Sequence, residues 1–162
     1  MRPICTLFVA GVLAAGLAAA AQQATPAPAS QNAPVVREIG TPPYHRTLPK
    51  GGLEALPPTL NPSQFRDPRV QASYAMAAKI RGVLYKQPCY CGCDKEAIQH
   101  KSLLSCFNDD HASICQTCMM EGVFAYQETQ KGKTPGQIRA EIKRGQWKSV
   151  NLNDLLLSGL HY

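Results

Sequence analysis

Strand-like alternation of apolar and polar residues is missing from this sequence, and so is any run of basic residues. The first absence argues against a sheet domain and the second against nucleic acid as a partner. No glycine-rich phosphate loop is present, no paired-carboxylate spacing stands out, and no Ser/His/Asp set has a helpful context. Hydrolysis and group transfer therefore lack a visible apparatus, and the balance is against an enzyme. The single Cys-x-x-Cys, Cys115 to Cys118, is followed by Met119 rather than His, which excludes covalent c-type haem.

The N-terminus reads as an address. Arg2 supplies a positive start, Leu7 to Ala18 an apolar run, and Ala19-Ala20-Ala21 a small-residue cleavage site. The apolar run is short and broken by Gly11 and Gly16, so a retained transmembrane helix is not expected. No cysteine follows it, so there is no lipid-attachment site, and Cys5 leaves with the signal. Loss of Arg2 leaves sixteen Lys and Arg against eleven Asp and Glu, a net charge of about +5 from the +6 of the whole chain. The expected location is the periplasm or cell envelope, after cleavage near Ala21.

Nine of the thirteen prolines fall between Pro26 and Pro62. Residues 22–66 accordingly read as a Pro/Ala-rich linker, extended and largely disordered, without a core of its own. Order is expected from Asp67-Pro68, an N-cap followed by proline in the first helical position. That helix ends at Gln87-Pro88. A short helix around Glu96 to Cys106 follows, then one capped by Ser113 with Gln116 and running to about Gln130. Another opens at Thr134-Pro135 with Gln137 and stops at Gly145, and Asn153 to Leu157 make a last turn. The fold class is thus all-α: about four helices in a cysteine-rich domain over residues 67–162, too small to be comfortable without a cross-link.

Six cysteines remain after the signal: Cys89, Cys91, Cys93, Cys106, Cys115 and Cys118. In an exported chain an even number raises disulfides, here three against three. Yet Cys89, Cys91 and Cys93 sit two apart around Gly92, where neighbours cannot readily bridge each other. Thiolates at such spacing also select Cu(I) or Zn. His100 and His111 are interleaved with them, whereas Met119 and Met120 read as core filling. The ligand pool is Cys91, Cys93, His100, Cys106, His111, Cys115 and Cys118, with Cys89 the weakest member. Cys115, placed in the first turn of a Ser113-capped helix, and Cys118 also suit thiol–disulfide exchange.

Pro88-Cys89-Tyr90-Cys91-Gly92-Cys93, then His100-Lys101-Ser102, Cys106-Phe107, Asp110-His111 and Cys115-x-x-Cys118, resemble the bacterial PCYCGC-motif family. Gly132-Lys133-Thr134 with Ile138-Arg139 and Ile142 resembles that family's closing helix, so the likeness spans residues 69–147. It implies an exported protein, often a lipoprotein in that family, although this chain has no lipobox. The last two helices bear a weaker, fold-level likeness to the small thiol-bearing assembly proteins of cytochrome c maturation.

The resulting expectation is an exported metal-binding protein, Cu(I) ahead of Zn. The alternatives are a periplasmic thiol–disulfide partner using Cys115 and Cys118, or a disulfide-stapled module that binds another exported protein. N-terminal sequencing of the exported form is expected to start just after Ala21; a membrane-embedded chain beginning at Met1 would refute the cleavage.

Overall fold

A computed structural model describes residues 34–95 and 97–157. The expected signal and the first part of the expected linker lie outside them. The described chain is mostly helical, with one small sheet. In chain order the elements are β1 (Val35–Glu38), β2 (Thr41–His45), α1 (Pro68–Lys79), α2 (Arg81–Leu84), α3 (Ser105–Asn108), α4 (His111–Ile114), α5 (Gln116–Gln130), α6 (Pro135–Lys143) and α7 (Asp154–Leu157). Short 3-10 turns at Gly52–Ala55, Pro62–Gln64 and Gln146–Ser149 link them. None of the described helices is long and apolar enough to cross a membrane.

Local chemistry explains most of the boundaries. Asp67 accepts the Arg69 N–H at 2.8 Å and Pro68 opens α1. Thr134 and Gln137 form a reciprocal capping box at α6, whose end passes into Gly145 in the left-handed region at φ 76°. The expected first helix is divided at Ile80, whose φ of −125° interrupts the helical run between α1 and α2. The expected helix from Glu96 to Cys106 shrinks to the single turn of α3. Left-handed Gly92 (φ 89°) and Gln99 (φ 45°) bend the chain between the motif and His100. Ser113 is not the cap of α5: it lies inside α4, its hydroxyl donates to the carbonyl of Asp110 at the α4 N-cap, and Cys115 occupies the N-cap of α5.

Two expectations are corrected. The fold is not purely α, and the short elements raise the number of helices well above four. The linker also has structure from residue 34 onward. β1 and β2 pair antiparallel, Val35 with His45 and Val36 with Tyr44. Tyr44 and His45 are buried, and the His45 ring stacks on Tyr85 at 3.9 Å. Further along, Leu56 is buried, the Leu60 N–H donates to the Phe107 carbonyl at 2.9 Å, and Asn108 donates to the Pro58 carbonyl at 2.6 Å. Proline removes donors without preventing burial. An extended strap can lay isolated large side chains on a preformed surface with no apolar period at all.

The core runs from Leu56 through Val70, Tyr74, Leu84, Leu104 and Phe107 to Phe124, Ile138 and Ile142. Cys89, Cys93, Cys106 and Cys118 belong to the same cluster, so the thiols lie inside the core rather than on its surface. Met119 and Met120 pack beside Ala72, Met76, Val123, Leu152 and Leu155, as core filling.

Trimming the chain to Asp67 is expected to lower the midpoint of thermal unfolding, because Tyr44 and Leu56 alone carry about 1.5–3 kcal/mol of burial each. Leu56→Ala in the full chain is expected to cost about 2–5 kcal/mol in a denaturant melt. An unchanged midpoint in both would show that the strap does not stabilise the domain.

Candidate metal centre

The motif loop is closed at its base. Gln87 is buried, its side chain donates to the Val83 and Pro135 carbonyls, and its own carbonyl accepts the Leu103 N–H at 2.9 Å. Between these ends the chain folds back so that the His100 N–H reaches the Cys93 carbonyl. The Tyr90 N–H donates to Glu121 Oε1 at 3.0 Å, tying the loop to α5. Gly122, next along α5, faces the Phe107 ring: a Cβ there would lie 2.6 Å from Phe107 Cζ. The bare glycine lets the Cys106-bearing turn of α3 approach the helix that carries Cys118.

These constraints bring seven soft donors together. Cys89 Sγ lies 3.3 Å from Cys91 Sγ and 3.5 Å from Cys118 Sγ. Cys93 Sγ lies 3.6 Å from Cys106 Sγ, and Cys106 Sγ lies 3.3 Å from His100 Nδ1. Cys91 Sγ lies 3.5 Å from His111 Nε2. Three overlapping groups could each hold an ion, their donor atoms all within 4.8 Å: Cys89, Cys91, Cys93 and Cys106; Cys91, Cys106, His111 and Cys118; Cys93, His100, Cys106 and His111. A tetrahedral ion with metal–sulfur bonds of about 2.3 Å spaces its sulfurs about 3.8 Å apart, so the donor set fits a thiolate-binding cation.

The six described cysteines are free. The three-against-three pairing is not made, and the nearest sulfurs stand well beyond a disulfide bond of about 2.05 Å. Cys115 departs from the expected pool. It is half-buried at the α5 N-cap, a position short of the expected first turn, and belongs to none of the three groups. Cys89, the weakest candidate by sequence, is buried in the middle of the cluster.

Asp109 and Glu121 are the residues that sequence reasoning missed. Asp109 Oδ2 binds His100 Nε2 at 2.9 Å while Oδ1 accepts the backbone N–H of His111 at 2.9 Å, so one carboxylate orients the His100 ring and fixes the start of α4, which carries His111. This leaves His100 Nδ1 aimed at sulfur, the arrangement in which a carboxylate fixes a ligating imidazole. Asp109 and Asp110 precede α4, and their sequence position carries no sign of the His100 contact. Glu121 sits among apolar residues of α5 and is fully buried. Only a charged residue interrupting that run hinted at a role.

The cluster's electrostatics follow from crowding. Cys106, in contact with Cys118, Cys89, Cys91 and Cys93, is held protonated far above the usual thiol range. Cys91 is pushed the other way, because Cys106, Cys118, Cys89 and Cys93 all direct S–H donors at it. The surrounding thiols thus favour negative charge at Cys91 over Cys106. Burial pushes Glu121 up to about 8, against the pull of Cys89 and of the Tyr90 N–H. Burial opposes charge on His100, but the Cys93 sulfur and the Asp109 carboxylate outweigh it and raise its basicity.

Fold and site together define a small, mostly helical protein with a thiol–imidazole cluster built into its core. A family described as a protein of unknown function with PCYCGC motif matches residues 51–149, and the chain belongs to that family. The match begins inside the expected linker, in the part that the structure packs onto the helices. No curated protein and no solved structure matches the chain, so neither comparison carries the likeness to cytochrome c maturation proteins.

Glu121 makes the metal-free fold pH-dependent. Its folded-state value lies above the ordinary carboxyl value, so the stability it contributes is complete below about pH 4.5 and lost as pH rises through about 8. Glu121→Gln keeps an acceptor for Tyr90 and removes the charge. It is expected to flatten that decline and to gain on the order of a few kcal/mol at pH 9 relative to pH 5 in denaturant melts. Parallel pH profiles for the two proteins would contradict a buried, titrating Glu121.

Proposed function

We propose that this is an exported metal-binding protein that holds a soft cation, Cu(I) ahead of Zn, in the Cys/His cluster. The observation that carries the reading is the convergence of five free thiols and two imidazoles within one core, with the His100 imidazole set by Asp109. Thiolate-rich sets favour Cu(I), and the same donors at tetrahedral spacing accept Zn. Cys91 and His111 are half-exposed, so an ion can reach the cluster through them. Export rests on the signal-like N-terminus, with the periplasm or cell envelope as its destination.

Thiol–disulfide exchange through Cys115 and Cys118 is less well supported. Burial pushes the Cys115 thiol up, and Cys118 is buried among other sulfurs, whereas exchange catalysts present an exposed thiol of lowered pKa. A disulfide-stapled module would need sulfurs that are bonded, and these are free.

Reduced exported protein is expected to bind Cu(I), and more weakly Zn, in native mass spectrometry. Its thermal midpoint should rise with free metal, about 2.7 kcal/mol of stabilisation at a hundred times the dissociation constant. The double variant Cys91→Ser with Cys93→Ser should lose that binding. A protein that is isolated fully oxidised, is indifferent to chelator and takes up no metal after gentle reduction would end this reading. A reduction potential for Cys115–Cys118 near −200 mV would then favour exchange, and one below about −300 mV structural disulfides.

A further inference from the structure

The three donor groups overlap in a way that one ion cannot use. Cys106 belongs to all three, while Cys91, Cys93 and His111 each belong to two. A four-coordinate ion seated in the first group would leave Cys118, His100 and His111 in or beside the core without a ligating role. Thiolate sulfur has lone pairs for two cations, whereas an imidazole nitrogen has one and cannot be shared. The second and third groups share Cys106 and His111, so they cannot be filled together through the same nitrogen. The first and second share Cys91 and Cys106, two thiolates, as the common edge of two tetrahedra.

Resting on the metal-binding reading above, we propose that the cluster is a thiolate-bridged dinuclear site for Cu(I). Cys89 and Cys93 are terminal ligands of one ion, His111 and Cys118 are terminal ligands of the other, and Cys91 and Cys106 bridge them. The contacts follow that plan. Cys91 lies 3.3 Å from Cys89, a terminal ligand of the first ion, and 3.5 Å from His111, a terminal ligand of the second. Cys106, the other bridge, lies 3.6 Å from Cys93, the second terminal ligand of the first ion. The competing pair, the first and third groups, would bridge through Cys93 and Cys106 and end the second ion on two histidines. The chosen pair gives that ion three thiolates instead of two, which suits a soft cation better. His100, held at Nε2 by Asp109, lies outside the pair as a neighbour of the bridge. Each ion takes its place by displacing thiol protons to solvent, with no change in oxidation state.

The test adds Cu(I) alone, without oxygen, to the reduced exported protein in competition with a coloured Cu(I) chelator. Native mass spectrometry is expected to show saturation at two ions per chain with little of the one-ion form. X-ray absorption at saturation is expected to show metal–metal scattering. His111→Ala should fall from two ions to at most one, while His100→Ala and Cys115→Ser should keep two. Cys106→Ser should lose metal–metal scattering; because Cys106 is a core residue, the unsubstituted protein decides the matter. Saturation at one ion, or at two without metal–metal scattering, overturns the bridge and leaves metal binding standing. Retention of no Cu(I) at all overturns both.

Discussion

The bond from the Leu103 N–H to the Gln87 carbonyl closes the excursion of residues 88–102 at its base, and the site is organised around that closure. Pro88 stands directly inside the closure and is fully buried, which holds the motif loop against the helices from its first residue. Glu121 takes the Tyr90 N–H from the α5 side, so Cys89 and Cys91 flank a fixed peptide. Leu103 and Leu104, both buried, carry the chain straight into α3 and set Cys106 beneath the loop. Without a closed base the three cysteines of the motif would lie on a surface loop. With it Cys89 and Cys93 are buried in the core, where Cys118 meets Cys89, and Cys91 stays half-exposed.

Burying that many thiols together has an electrostatic consequence. A single thiolate at Cys91 can be stabilised by sulfur donors around it, but further ionisation places like charges side by side in a poorly solvated space. A cation relieves this, replacing several protons with one centre of positive charge. The second carboxylate system, Asp109, works on geometry: the Tyr74 hydroxyl donates to its carbonyl at 2.7 Å, and Tyr74 packs edge-on against Phe107. Orientation of the His100 ring therefore traces back to aromatic packing between α1 and α3.

The proline-rich strap enters the same account. Pro42 and Pro43 of β2 share a small crevice with Cys89, Cys93 and His100, so the hairpin roofs one side of the cluster. Arg139 lies over the Tyr44 ring at 4.5 Å and donates to the Lys86 carbonyl, linking hairpin, α6 and the approach to the motif. A domain of this size has little core to spare, and the strap adds buried surface where helices leave a gap.

How much was legible in the sequence depends on the range of the interaction. Helix starts at Asp67 and Thr134 were legible because a cap is made by residues two or three apart, and the stop at Gly145 because a left-handed turn needs glycine. The residue types of the site were legible too, since cysteine and histidine at short spacing are few and chemically distinctive. Ser113 misled because it is taken up in the separate turn of α4, and α5 starts two residues later from Cys115. Only the tertiary structure decided that Tyr44 and Leu56 are buried, because a strap needs no periodic pattern to lie on a surface. It also decided which sulfurs meet. Cys115 and Cys118 are equivalent as letters, but a helix start turns one toward the cluster and leaves the other at its edge. The Asp109 contact to His100 and the Glu121 contact to Tyr90 arise from chain segments that meet only after folding, a separation no local pattern encodes.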